Sequence, residues 1–178
     1  TKVKAQLKEN KELAPMLGIA ASLSFLLMMF NVPIPGGTTA HAVGGVLLSI
    51  LIGPYAASLA LTVALLLQAL LFGDGGILAL GANIFNMAIA MPFIGYAVYN
   101  FFRKQNHETA GVLVGSYVGI NVAAFLTAIE LGIQPIIATQ GGEPLYNPYG
   151  LAVTIPAMMA THLTIAGAVE VFFTYVIY

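Results

Sequence analysis

Charged residues are scarce in this sequence: Asp, Glu, Lys and Arg together make up 7% of its 178 residues. A soluble domain carries about 25% charged residues, so this chain cannot cover itself with a water-facing surface. Hydrophobic residues reach 59% instead. The sequence therefore predicts an all-α integral membrane protein with one transmembrane domain over residues 1–178, made of a basic flank (1–12) and a helical bundle (13–178).

Cysteine is absent as well, which excludes disulfides, thiolate metal sites and thiol redox chemistry. No segment resembles a Walker A loop, so we do not expect this chain to hydrolyse ATP. An intramembrane aspartyl protease needs two facing carboxylates, and Asp74 is the only aspartate in the sequence. A plausible nucleophile–base pair is also missing. We therefore disfavour an intramembrane hydrolase and predict a protein that is not an enzyme.

Glycine, proline and charged residues divide the chain into six apolar segments, each predicted to be a helix. Their approximate ranges are 13–30, 39–52, 54–72, 77–102, 110–133 and 149–178. The second is short for a crossing, which takes about 20 residues. In the last segment, Pro156 predicts a kink.

All six basic residues lie in two polar connectors, one before the first helix and one after the fourth. They are Lys2, Lys4, Lys8, Lys11, Arg103 and Lys104. The positive-inside rule places both connectors in the cytoplasm, and six crossings satisfy both at once with the N- and C-termini inside. The predicted outer loops are then 31–38, 72–76 and 134–148.

Small residues recur at a spacing of four on two of the predicted helices, a pattern typical of helices that pack closely in lipid. The stripe on the first helix comprises Ala14, Gly18 and Ser22. The stripe on the fifth helix comprises Gly111, Gly115, Gly119 and Ala123. We expect the second stripe to contact another helix of the bundle, whereas the first stripe is a candidate contact for another subunit.

His41 differs from the other two histidines because it follows the loop "NVPIPGG" (31–37), which cannot form a regular helix. We place it in the first turn of the second helix, at the outer face. Irregular backbone at membrane depth is tolerated where it lines a cavity, and neutral imidazole is the commonest metal ligand. One imidazole cannot hold a metal alone. Thr38 and Thr39 offer hydroxyls for capping that helix or for supporting a ligand.

Each of the other polar candidates can be interpreted as a structural residue or as a functional one. His162 falls near mid-membrane, where we expect a hydrogen-bonded neutral histidine or a pocket residue. Asn83 and Asn86 share one helix face, so they line a polar pocket or bond to a neighbouring helix. Asp74, in "FGDGG", is a turn residue or a charge that attracts cations to the outer face. His107, in the cytoplasmic connector, is expected to be a solvated loop residue.

Two carboxylates fall within the predicted helices, where charge is expensive and marks a functional candidate. We expect Glu130 at the outer end of the fifth helix and Glu170 toward the cytoplasmic end of the last. Methionines at helical spacing usually fill the core, but thioethers favour copper(I). A methionine-based copper(I) transporter is therefore one alternative, and its candidate ligands are Met28, Met29, Met87 and Met91.

Three stretches occur in order over about residues 13–100 and together resemble the CbiM/NikM family. They are "FNVPIPGGTTAHAVGG", "LIGPYAASLALTVALLLQALLFGDGG" and "LGANIFNMA". Members of this family are the substrate-specific membrane components of energy-coupling-factor transporters for cobalt and nickel. The resemblance implies a multi-pass protein of a prokaryotic cell membrane that captures Ni²⁺ or Co²⁺ at the outer face, in a setting such as cobalamin biosynthesis.

The resemblance also implies partners and ligands. The partners are a membrane coupling subunit, two cytoplasmic ATPase subunits and a small accessory membrane subunit, with no nucleic acid.

In the family, the histidine of the PGGT-x-x-H motif, which corresponds to His41, is a metal ligand. A Met-His N-terminus supplies three further nitrogens, from its amine, an amide and a second imidazole. This chain starts at Thr1 without Met-His. Either a longer natural chain supplies these ligands, which we favour, or this member binds metal differently.

A passive channel for a small solute is the alternative from another class, with the PGG and GDGG loops as its mouth. Such a channel would conduct without ATPases and would not need His41. Within transport, the residues are equally compatible with nickel and cobalt.

Overall fold

The structure is a computed structural model that describes residues 2–34 and 38–178, without the side chains of Lys2 and Thr38. The glycines at 36 and 37 and the expected role of the Thr38 hydroxyl lie outside the described residues. Helices dominate, and four of the described helices are long and apolar enough to cross a membrane. They span Pro54–Leu71, Leu80–Arg103, Glu108–Ile137 and Leu151–Ile177. The protein is thus a helical, multi-pass membrane protein.

The helices begin and end close to the Gly, Pro and charged residues that separate the apolar runs. In chain order they are α1 (Lys2–Glu9), α2 (Leu13–Met28), α3 (Gly45–Ile52), α4 (Pro54–Leu71), α5 (Leu80–Asn83), α6 (Met91–Arg103), α7 (Glu108–Ile137), α8 (Leu151–Thr161) and α9 (Gly167–Ile177). The short strands are β1 (Val32–Ile34), β2 (Thr38–Ala40), β3 (Thr139–Gln140) and β4 (Glu143–Pro144). Both strand pairs are antiparallel.

The second predicted helix begins six residues later than expected. Thr39 pairs with Pro33 in the hairpin of β1 and β2, and α3 starts only at Gly45. Gly44 has φ of +73°, a left-handed conformation that interrupts any helix entering from the N-terminal side. The prediction that His41 lies in a first helical turn and that Thr39 caps it is therefore wrong. His41 instead lies in the non-helical segment between β2 and α3.

Two π-helical segments interrupt the long helices, at Ile84–Ala90 and His162–Ala166. Each π turn forms i→i+5 hydrogen bonds, and such bulges occur often at functional sites. Pro92 follows the first segment and has no N–H to donate to Ala88, which disfavours regular α-helical bonding there. In the last span, Pro156 lies within α8, and regular α-helix is lost only six residues later, at His162.

α6 and α7 pack with their backbones almost in contact. A Cβ atom built on Gly115 would lie 2.8 Å from the Gly95 carbonyl oxygen, and one on Gly111 would lie 2.8 Å from the Tyr99 carbonyl oxygen. A Cβ on Gly119 would meet Val46 of α3 at 2.6 Å. Small residues permit this close approach, which gives helices their attraction in lipid. The expected contact of the fifth-helix stripe within the bundle is confirmed.

We predict that Gly115→Ala lowers the free energy of unfolding by about 1–3 kcal/mol. The new methyl group would clash with backbone atoms of α6, which cannot rotate away as a side chain can. The matched control is Gly18→Ala on α2, where no described atom lies within 4 Å of the new Cβ. Thermal unfolding of the two detergent-solubilised variants provides the measurement. Equal melting temperatures for both would contradict the close packing of α6 on α7.

Candidate metal-binding site

A small polar cavity of about 90 Å³ lies between the helices. It is next to the segment before α3 that contains His41. A water molecule takes up about 30 Å³ of liquid, so an ion with a few waters fits, whereas drug-sized ligands need about 300–1,000 Å³. Side chains from distant parts of the chain line it together. Its polar lining consists of Thr39, His41, Gln68, Asp74, Asn83, Thr127 and His162.

His41 presents one ring nitrogen that is free to bind a metal. Its Nδ1 lies 3.2 Å from the Ala42 carbonyl oxygen. Since a carbonyl only accepts, Nδ1 is the donor, and the neutral ring then keeps its lone pair on Nε2. Among the described residues, no hydrogen bond is made to Nε2 of His41. A backbone bond that fixes the tautomer in this way is typical of metal-binding histidines.

His162 lines the same cavity from the start of the second π-helical segment. It is buried, and its Nδ1 lies 2.9 Å from the Met158 carbonyl oxygen, so the expected hydrogen bond of a membrane histidine is confirmed. His162 and His41, which are far apart in the sequence, thus line one cavity.

The turn role expected for Asp74 is confirmed, whereas the attraction of cations to the outer face stays a prediction. Its Oδ1 accepts a hydrogen bond from the Gly75 amide at 3.0 Å, as a turn residue does, and its Oδ2 accepts one from Asn31 Nδ2 at 3.1 Å. It also lines the cavity together with His41. Burial lowers the pKa of His41, and the hydrogen bond to Ala42 and the charge of Asp74 oppose that shift.

The two asparagines take different positions. Asn83 lines the cavity and donates from Nδ2 to the Gly75 carbonyl oxygen at 3.1 Å. Asn86 is buried outside the cavity lining, and its Nδ2 donates to Glu130 Oε2 at 2.6 Å and to Thr127 Oγ1 at 3.0 Å. The structure therefore favours the cross-helix role for Asn86. The wider π turn that begins at Ile84 separates the two side chains, which an α-helix would keep on one face.

Glu170 contacts the site in a way that the sequence did not predict. Its carboxyl group is fully buried and accepts hydrogen bonds from the Val43 amide at 2.7 Å and the Gly44 amide at 3.0 and 3.1 Å. It thus holds the segment that carries His41, and its expected place toward the cytoplasmic end of the last helix stays a prediction. An acidic residue inside the apolar run "GAVEVFF" was the available signal.

Gln68 and Thr127, which also line the cavity, were missed because neutral polar residues are common in helices.

The four methionines predicted as copper(I) ligands do not come together in the structure. Met28 is fully buried in the core, whereas Met29 is exposed. Only Met87 of the four lines the cavity, together with Met158. Within residues 2–34 and 38–178, no three His, Asp or Glu side chains lie close enough to hold a metal ion.

We predict that Asn86 and Glu130 stabilise the bundle through their mutual hydrogen bond. In a double-mutant cycle of Asn86→Ala, Glu130→Ala and the double variant, the coupling free energy should be about 0.6–1.7 kcal/mol, the usual range in a membrane protein. Reversible unfolding in detergent gives the four free energies. Strict additivity of the two single changes would show that the contact contributes nothing.

Comparisons with known proteins place the chain in a family. The sequence pattern described as "cobalt uptake substrate-specific transmembrane region" (CbiM) matches residues 1–178. The probable fused nickel transport protein LarMN of Lactiplantibacillus plantarum is 66% identical over 99% of this chain and 54% of its own length. The fused nickel transport protein NikMN of Rhodobacter capsulatus is 48% identical over 90% of this chain and 48% of its own length. The chain thus spans about half the length of these curated relatives.

Similarity extends to the three-dimensional structure and to cobalt proteins. A crystal structure of a truncated transition metal transporter superposes with a TM-score of 0.92 and 53% identity, covering 98% of this chain and 83% of that one. The cobalt transport protein CbiM of Clostridium tetani is 31% identical over 79% of this chain and 57% of its own length. On this sequence and structural agreement, the chain belongs to the CbiM family of cobalt uptake substrate-specific transmembrane regions.

Proposed function

We propose that this chain is the substrate-binding membrane subunit of an ATP-driven transporter that takes up Ni²⁺ or Co²⁺ and captures the ion at the outer face of the membrane. The observation that carries the proposal is the Nε2 atom of His41, to which no described residue hydrogen-bonds, in an ion-sized cavity that Asp74 also lines. Relatives named as nickel or cobalt transport proteins support the identity of the ion. Imidazole nitrogen is a suitable ligand for both metals.

The remaining ligands are proposed to come from a Met-His N-terminus of a longer natural chain. Its amine, the following amide nitrogen and the second imidazole would join His41 in a near-planar set of four nitrogens. This geometry suits Ni(II) and is acceptable to Co(II). The proposal is supported by the incomplete set of ligands around the cavity in the described residues.

The proposed topology has six crossings with both termini in the cytoplasm. α3 has eight residues, a length of about 12 Å, and His41 precedes its first residue. At its other end, a Cβ built on Gly53 would lie 3.8 Å from Gln6 Nε2. The basic N-terminal segment and His41 are therefore at opposite ends of α3. If the lysines lie inside by the positive-inside rule, the cavity opens toward the outside.

The partners are proposed to be a membrane coupling subunit, two cytoplasmic ATPases and a small accessory membrane subunit. The coupling subunit would dock on the stripe of Ala14, Gly18 and Ser22. All three are exposed on α2, and no described atom lies within 4 Å of a Cβ built on Gly18. The stripe is thus open to a close helix–helix contact from another chain.

We predict that His41→Ala weakens Ni²⁺ binding by more than about 100-fold in the full-length protein, since even loss of an outer-shell partner costs 10–100-fold. Equilibrium titration with Ni²⁺ is the measurement. His107→Ala, which removes an exposed connector histidine, is the matched control and should bind as the unchanged protein does. Unaltered affinity after His41→Ala, in a folded protein, would disprove the metal assignment.

The chain that starts at Thr1 should be titrated with Ni²⁺ in parallel. It should bind Ni²⁺ weakly, and a free Met-His start should restore binding, while a tag ahead of that methionine should block it. ATP-independent conduction in vesicles, insensitive to His41→Ala, would instead identify a passive channel.

We predict that Gly18→Leu reduces co-purification with the coupling and ATPase subunits and reduces ATP-dependent uptake, because the larger side chain separates the packed backbones. The Ni²⁺ affinity of the isolated subunit should remain the same, since a side chain at position 18 of α2 meets no neighbouring helix within the described residues. Gly81→Leu is the matched control, because Gly81 is also helical, exposed and open. Normal assembly and transport by Gly18→Leu would show that the coupling subunit docks elsewhere.

A further inference from the structure

Two side chains from two different helices hold the peptide between Val43 and Gly44. The Ser24 hydroxyl of α2 donates to the Val43 carbonyl oxygen at 2.7 Å. The Glu170 carboxylate of α9 accepts from the amides of both residues, at 2.7–3.1 Å. Ser24 and Glu170 are each 0% exposed. The backbone directly after His41 therefore has its polar groups fixed from opposite sides.

The same carboxylate lies at the N-terminus of α3. Gly44 is the N-cap residue, and the helix has no side-chain cap of its own. The left-handed φ of Gly44 favours glycine, and a Cβ there would meet Leu27 Cδ1 at 2.9 Å. The usual N-cap residues are thereby disfavoured. Glu170, 126 residues from Gly44, instead accepts hydrogen bonds from the amides of Val43 and Gly44, just before the first helical residue.

The peptide held in this way borders the cavity. His41 and Val43, which lie just before α3, both line it. A shift of the Val43–Gly44 peptide would therefore move the cavity wall and the segment that carries His41.

We infer that Glu170 and Ser24 are positioning residues for metal capture: together they fix the Val43–Gly44 peptide, and with it the direction of the His41 imidazole. This inference rests on the proposed function and assigns a role to two residues that do not touch the metal. Removing either residue should weaken metal binding by loosening His41.

The test uses the full-length protein with a free Met-His start and the variants Glu170→Gln, Ser24→Ala and His41→Ala. Glu170→Gln keeps the side-chain volume but replaces one of the two accepting oxygens with an NH₂ group, which cannot accept. The matched control is Thr174→Val, one turn along the same buried face of α9, where the Thr174 hydroxyl has no hydrogen-bond partner among the described residues. Ni²⁺ titration gives the affinity, and circular dichroism of the metal-free variants establishes that they are folded.

Electron paramagnetic resonance of bound Cu²⁺ supplies a second measurement, which general destabilisation of the fold would not change. The superhyperfine splitting reports how many nitrogens bind the ion, and Cu²⁺ accepts the same planar nitrogen set. We expect Glu170→Gln to lose 10–100-fold in Ni²⁺ affinity and to show one nitrogen fewer, as His41→Ala does. Ser24→Ala should weaken Ni²⁺ binding in the same direction, and Thr174→Val should leave both measurements unchanged.

The possible results separate the two proposals. If the unchanged protein binds no Ni²⁺, or if His41→Ala binds normally, the proposed function fails. If His41→Ala loses binding while folded Glu170→Gln keeps its affinity and its nitrogen count, only the positioning role is overturned. Should Glu170→Gln not fold, Ser24→Ala decides: weakened binding supports the role, and unaltered binding overturns it.

Discussion

Backbone N–H and C=O groups that lie inside a bilayer must find partners within the protein, because lipid offers none. The segment between β2 and α3 is where this constraint is hardest to meet, since it is not helical and yet runs between helices. Glu170 and Ser24 meet it with short hydrogen bonds to the Val43–Gly44 peptide. The position of His41, the start of α3 and the wall of the cavity all depend on these contacts.

The glycine-rich contact of α6 with α7 provides the rigid frame for that segment. Val46 of α3 packs into the same contact, because a Cβ on either Gly95 or Gly119 would overlap its Cγ2 atom. α3 is thus held by side-chain packing along its length and by Glu170 at its N-terminus. A helix of eight residues is too short to be stable alone, so this external support explains how it persists within the bundle.

The sequence was sufficient to predict the parts of the fold that follow from local pattern. The apolar runs gave the long helices to within a few residues, and the four-residue spacing of glycines identified the packed face of α7. The start of α3 was predicted wrongly because it depends on a left-handed Gly44 and on a carboxylate 126 residues away. Asn86 was not distinguished from Asn83 because the π turn between them has no clear local signal.

The lining of the cavity bears on how the proposed function would work. His41, His162 and Asp74 all line it, yet within the described residues they do not form a three-ligand group. If the cavity binds a metal ion as proposed, these residues supply only some of its ligands. The affinity would then depend on ligands from outside the described residues, while the contacts of Glu170 and Ser24 determine where His41 stands.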